Sequence, residues 1–211
     1  MRTRIKICGI TRAEDAVAAA ELGADAVGIV FCPESRRAVD RPTALEILAD
    51  LPPFVSAVGL FVDPEANFVR TVLRELRIDI LQFHGNESPE FCGQFGRRYL
   101  KAVPMGEGGE AAEYTARYPD ASGFVFDGHR AGEMGGQGVG FDHSRLPSPT
   151  DRATVLAGGL TPENVRSVVE QWTPFAVDVS SGVESATGVK DPQRIARFIS
   201  EVESVRSSRA A

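Results

Sequence analysis

Eight short runs rich in Val, Ile and Phe divide the chain: residues 4–8, 26–31, 55–62, 79–83, 99–103, 123–127, 154–158 and 175–179. Each reads as a strand. Their ends fall about 20 to 30 residues apart, enough for a strand, a helix and two turns. Between them lie segments of helical periodicity, including 13–22, 44–51, 67–76 and 164–171. Thr11-Arg12-Ala13-Glu14 reads as a capping box. Asp63-Pro64, Ser88-Pro89, Thr161-Pro162 and Asp191-Pro192 each pair an N-cap oxygen with a proline at the first helical position, where its missing N–H costs nothing.

Strands this apolar, with little alternation, are covered on both faces. That calls for a parallel sheet with helical crossovers. Eight units predict a compact α/β fold, a single (β/α)8 barrel domain spanning residues 1–211 with a frayed tail at 207–211. The rival is an open doubly wound sheet. It would carry a Gly-rich fingerprint after the first strand, and Cys8-Gly9-Ile10-Thr11 is not one.

Composition narrows the function. Net charge is −6 with both signs interspersed and no basic run, which argues against nucleic-acid binding. No apolar run approaches the length of a membrane span, and the N-terminus does not read as a secretory signal. Cys8, Cys32 and Cys92 are odd in number and lack CxxC spacing. They point to a reducing cytoplasm, with no disulfide framework and no zinc site.

In a barrel, chemistry sits at the C-terminal ends of the strands. The first ends on Cys8. Packing suits a cysteine there, but so does reactivity, because a helix start at Thr11 would lower a thiol pKa from its usual ~8.5. After strand 2 come Arg36 and Arg37, either a solvated turn or a clamp for carboxylate or phosphate. Gln82 and His84 share parity on strand 4 and point one way. Strand 6 ends on Asp127 behind Phe124-Val125-Phe126, where partial desolvation favours a proton-donating carboxyl. A Gly-rich loop follows at 132–140. Gly158 and Gly159 after strand 7, with Ser180, Ser181 and Gly182 after strand 8, offer free backbone N–H groups that form an anion nest, best read as a phosphate site.

These stretches resemble the phosphoribosylanthranilate isomerase (TrpF) family. The matching motifs are KICGIT (6–11), GADAVGIVF (23–31), the Ser-Arg-Arg loop (35–37), QFHG (82–85), FDG (126–128), GGxG with FD (135–142), GGLTPENV (158–165) and AVDVSSGVE with GVKD (176–191). The resemblance implies a cofactor-free, metal-free isomerase of tryptophan biosynthesis. It would convert N-(5-phosphoribosyl)anthranilate to the 1-deoxyribulose phosphate product by an Amadori rearrangement. On matching positions it makes Cys8 the general base, Asp127 the general acid and Arg37 the contact to the anthranilate carboxylate. Gly159, Ser181 and Gly182 fall in the phosphate loops, and His84 and Asp178 stand close to the substrate in support. The family commonly has Thr or Ser where this chain has Gln137, and Trp where it has His143.

Related sugar-phosphate isomerases of histidine biosynthesis place an Asp where Cys8 stands. A non-catalytic phosphosugar-binding barrel would lack Cys8 or Asp127. The expected partner is the small phosphoribosyl substrate, with neither nucleic acid nor membrane, in a monomer or homodimer.

Overall fold

The computed structural model describes residues 2–106, 111–128, 146 and 152–210, with side chains to 205. All eight expected strands are present: β1 (Arg4–Cys8), β2 (Ala26–Val30), β3 (Ser56–Phe61), β4 (Ile80–Phe83), β5 (Arg98–Pro104), β6 (Gly123–Asp127), β7 (Ala153–Leu156) and β8 (Ala176–Val179). They pair in chain order, all parallel, and close into a barrel where β8 meets β1. The open-sheet alternative is therefore excluded. Helices α1 (Ala13–Glu21), α2 (Arg41–Ala49), α3 (Ala66–Glu75), α4 (Pro89–Gly93), α5 (Ala111–Ala116), α6 (Val165–Trp172) and α7 (Pro192–Ala210) supply the outer layer.

Strand parity divides the core in two. Outward residues such as Ile5, Ile7, Phe61 and Phe83 join the large cluster under the helices. Inward residues Val125, Val155, Ala157 and Ala176 fill the lower barrel, with Leu100 against them. Three aromatic rings, Phe31 just after β2, Phe61 on β3 and Phe83 on β4, run in a row on the outer face. Phe31 stacks on Phe61 at 5.3 Å, Phe61 meets Phe83 at 6.2 Å, and Phe83 packs on Phe91 and Phe95 at 5.9 Å each. At the opposite rim from the strand C-termini, aspartates satisfy backbone donors of the preceding strand. Ile5 N donates to Asp25 at 2.9 Å, and Ala57 N donates to Asp79 at 2.8 Å.

The helix starts divide between agreement and correction. Ser88 accepts from Phe91 N, and Asp191 from Gln193 N and Arg194 N, so these two proline-paired caps hold. Asp40 caps α2 by accepting from Thr43 N, with Pro42 in the first turn, a start the sequence reading passed over. Thr11 does not cap α1, whose N-cap is Arg12; its hydroxyl instead donates to the Gly188 carbonyl. Asp63 and Thr161 each lie short of their helices, because α3 starts after Glu65 and α6 after Asn164. Asp63 accepts from Asn86 N in the next loop instead.

Between β8 and α7 the chain adds a small hairpin that periodicity did not reveal. A 3-10 turn (Ser181–Val183) leads into β9 (Glu184–Ala186), which pairs antiparallel with β10 (Val189–Lys190). Gly188 turns it, with φ of +79°. The loop at 132–140 with Gln137, the motif at 135–142 and His143 lie outside the described residues, as do the side chains of the tail.

Phe83 is fully buried at the centre of the aromatic row. Phe83→Ala should cost about 3–5 kcal/mol of stability in urea titration, because the rings around it cannot collapse into the space.

Candidate active site

The strand C-termini surround one cleft. Cys8, Arg37, Gln82, His84, Asp127, Gly158, Gly159, Asp178, Ser180 and Ser181 all line it. Gly182 does not. It lies behind the nest, where a Cβ would stand 2.0 Å from the Leu160 carbonyl oxygen, so its lack of a side chain lets the two loops touch. Arg36 is exposed and outside the cleft. Of the two arginines, Arg37 is the one that lines the cleft.

On β1 the inward residues are Lys6 and Cys8. Cys8 pairs in register with Gly28 of β2. A Cβ on Gly28 would stand 2.7 Å from the Cys8 Sγ and 3.1 Å from the Lys6 Cε, so glycine makes room for both side chains. Gly9, with φ of +72°, then turns the chain outward. A Cβ there would meet Arg37 Cδ at 2.4 Å, so the arginine crosses directly over it.

Gln82 and His84 point into the cleft together, as parity requires. Gln82 Nε2 lies 3.2 Å from His84 Nδ1, and His84 Nε2 lies 3.4 Å from Asp127 Oδ2. With the amide donating to Nδ1, the ring proton sits on Nε2 and faces the carboxylate. The turn that carries His84 is fixed from outside the cleft. Buried Lys101 donates to the carbonyls of Phe83 and Gly85 and to Glu87. Glu87 in turn accepts from the backbone N–H groups of Gly85 and Asp63.

The glycines after β7 have the backbone that only glycine adopts readily. Gly158 and Gly159 are both left-handed, with φ of +76° and +64°. Asn164 locks that loop by donating to Gly159 O and accepting from Thr161 N, each at 2.8 Å.

A second layer of charge lies beneath. Lys6 Nζ donates to Asp178 Oδ2 at 2.8 Å inside the barrel. Arg37 turns its Nε and Nη2 to the two oxygens of Glu184, at 2.7 and 2.8 Å. Lys190 donates to Glu184 at 2.8 Å and to the Ser180 carbonyl at 3.1 Å. The hairpin thus ties Arg37 to the nest. Lys6, Glu184 and Lys190 were missed as site residues. Lys6 could have been found by its parity with Cys8, whereas nothing local to the "SGVESATGVK" stretch announces that its acid and base fold back under the cleft.

Burial raises the Cys8 thiol above its ordinary value, and Lys6 and then Lys190 work against that rise while Asp178 adds to it. The expectation that the α1 start governs this thiol is corrected. The charges acting on it include Lys6 on β1, Asp178 on β8 and Lys190 on the hairpin, and Thr11 is not the helix cap. Cys92 is core, its thiol pushed up to about 12 by burial. Burial also pushes the Glu184 carboxyl up, but hydrogen bonds from Arg37 and Lys190 outweigh it and hold the group below the usual range.

Fold and cleft together are those of a (β/α)8-barrel enzyme. Residues 5–201 match the family model for N-(5'-phosphoribosyl)anthranilate isomerase, and the chain belongs to that family. A relative of that name from Halorhodospira halophila is 61% identical over 96% of this chain and 98% of its own length. The crystal structure of phosphoribosyl anthranilate isomerase from Thermus thermophilus superposes with a TM-score of 0.86 at 38% identity, covering 97% of this chain and 100% of that one. Another isomerase structure, in complex with reduced 1-(o-carboxyphenylamino)-1-deoxyribulose 5-phosphate, has a TM-score of 0.81 at 36% identity and covers 96% and 99%. The enzyme is thus an isomerase of tryptophan biosynthesis, and its reaction turns N-(5-phosphoribosyl)anthranilate into 1-(2-carboxyphenylamino)-1-deoxyribulose 5-phosphate. Among the described residues no helix is long and apolar enough to cross a membrane.

Glu184 gives a pH test of the buried layer. Its carboxyl is depressed in the folded state, so the stability it contributes is present above the unfolded value of 4.5 and is lost as pH falls through the lower folded value. Glu184→Gln should therefore be less stable than wild type at pH 7 by about 3 kcal/mol, because two buried cations lose their shared carboxylate, and the gap should narrow below pH 4.5 in urea titrations.

Proposed function

We propose that Cys8 is the general base and Asp127 the general acid of the isomerisation. The observation that carries this reading is their placement. A thiol on β1 and a carboxyl on β6, three strands apart around the closed barrel, line one cleft whose rim holds an anion nest.

Asp127 donates a proton to the furanose ring oxygen. The C1′–O bond breaks and leaves a protonated Schiff base. That cation acidifies the C2′ hydrogen, and the Cys8 thiolate removes it as a proton. The electron pair moves into the C1′–C2′ bond to give an enolamine, which tautomerises to the ketone. His84, with its Nε2 toward Asp127, holds the acid in place. Asp178 stands beside the sugar in support. Gln82 sets the His84 ring.

The two charged ends of the substrate fix its position. The nest of Gly158, Gly159, Ser180 and Ser181 takes the phosphate, with Gly182 allowing the loop to close against Leu160. Arg37 takes the anthranilate carboxylate, its plane set by Glu184. Holding both ends orients the sugar between acid and base, which lowers the entropy still to be lost at the transition state. All of these residues come from one chain, so the reading suits a monomer and a homodimer alike. Three free thiols fit a cytoplasmic setting.

Loss of phosphoribosylanthranilate fluorescence measures turnover. Cys8→Ser and Asp127→Asn should each lower kcat by roughly 10²–10⁴-fold with the fold retained. Arg37→Ala should raise KM far more than it lowers kcat. A Cys8→Ser variant that turns over normally at saturation would refute the base assignment.

A further inference from the structure

We propose that Lys6 is the positioning residue for Cys8, the fixed buried cation that holds its thiolate form. This deepens the assignment of Cys8 as base and rests on it.

Lys6 and Cys8 are two residues apart on β1 and face the same interior. Both are buried, and no loop motion can carry the lysine away from the thiol. The two side chains crowd one point over Gly28, where a single added carbon would stand 2.7 Å from Sγ and 3.1 Å from Cε. Glycine at 28 is what permits that approach.

The groups that act on Cys8 come from four elements: Lys6 on β1, Asp178 on β8, Lys190 on β10 and Arg37 in the loop after β2. Glu184 on β9 pairs with the last two, while His84 and Asp127 line the same cleft from β4 and β6. Of these groups, Lys6 is the cation that shares the thiol's own strand and face.

Of the three cations Lys6 is the one to assign. Arg37 turns Nε and Nη2 to Glu184, and Lys190 is shared between Glu184 and Ser180. Lys6 bonds one oxygen of Asp178, whose other oxygen, Oδ1, is buried without a partner. Lys6 thus has Asp178 as its hydrogen-bond partner and Cys8 as its neighbour on the same face of the strand. Burial opposes its charge, yet Asp178 and Cys8 together keep it above the ordinary lysine range, so it stays charged throughout the working pH range. When Cys8 takes the proton from carbon, the compensating cation remains in place and no solvent has to reorganise.

The test reads the thiol itself, without substrate, in a Cys32→Ser/Cys92→Ala background. Thiolate is followed by absorbance at 240 nm and by alkylation rate against pH. Lys6→Met should move the Cys8 titration up by about 1–3 pH units, and the limb of the kcat profile that depends on Cys8 should move with it. Lys6→Arg, which keeps the charge, should restore much of that shift. Asp178→Asn should move the titration down, because it removes the competing carboxylate; if Lys6→Met fails to fold, this variant decides. An unchanged titration in folded Lys6→Met, or an unchanged or raised one in Asp178→Asn, overturns the proposal. Full turnover by Cys8→Ser would instead overturn the base role, while the titration would still report on the pair.

Discussion

Closure of the barrel between β8 and β1 places Lys6 in register with Asp178, and the ion pair across that seam fixes the interior beneath the cleft. Removing two charges from water carries a large desolvation penalty, which a pair recovers only in good geometry. Here the strands themselves supply the geometry, since both residues sit on rigid backbone in adjacent strands. A slip of one residue by either strand would turn its own charged side chain out toward the helices, where the packing is apolar. The same register places Cys8 one rung above Lys6 and lays the start of the nest beside it.

A second buried charge system has a different origin. Arg37, Glu184 and Lys190 come from a loop, a short strand and its hairpin partner, and they meet only because the hairpin folds back between β8 and α7. This brace joins the expected carboxylate end of the site to its expected phosphate end. Lys101 and Glu87 do comparable work behind His84. The cleft thus rests on buried ion pairs, of which Arg37 and Asp178 reach its lining while Lys6, Glu184, Lys190, Lys101 and Glu87 stay beneath it, and backbone donors or acceptors hold Glu87, Lys101 and Lys190 in place.

Much of this was legible in the sequence. The eight strands follow from runs of β-branched and aromatic residues bounded by turn residues, signals carried within a few positions. Parity placed Gln82 and His84 on one face. The Gly pair after strand 7 marked a left-handed turn, because that backbone needs glycine, and the Ser-Ser stretch after strand 8 marked a second loop at the cleft. Thr11 was misread for a physical reason: its hydroxyl can cap the helix or reach Gly188, and the choice depends on a hairpin 177 residues away. Asp63 was likewise diverted to the loop after β4.

The sequence by itself determined the strand count, the helical crossovers and the residues able to do acid–base chemistry at strand ends. These depend on local propensity and on a period of two or 3.6 residues. The tertiary structure alone decided which charges neutralise one another: Lys6 with Asp178, Arg37 with Glu184, and Glu184 with Lys190. It also decided which side chains share the cleft with Cys8. Pairing between strands and loops far apart in the chain depends on where the barrel closes, and the energy of a buried charge depends on partners that only closure brings within reach.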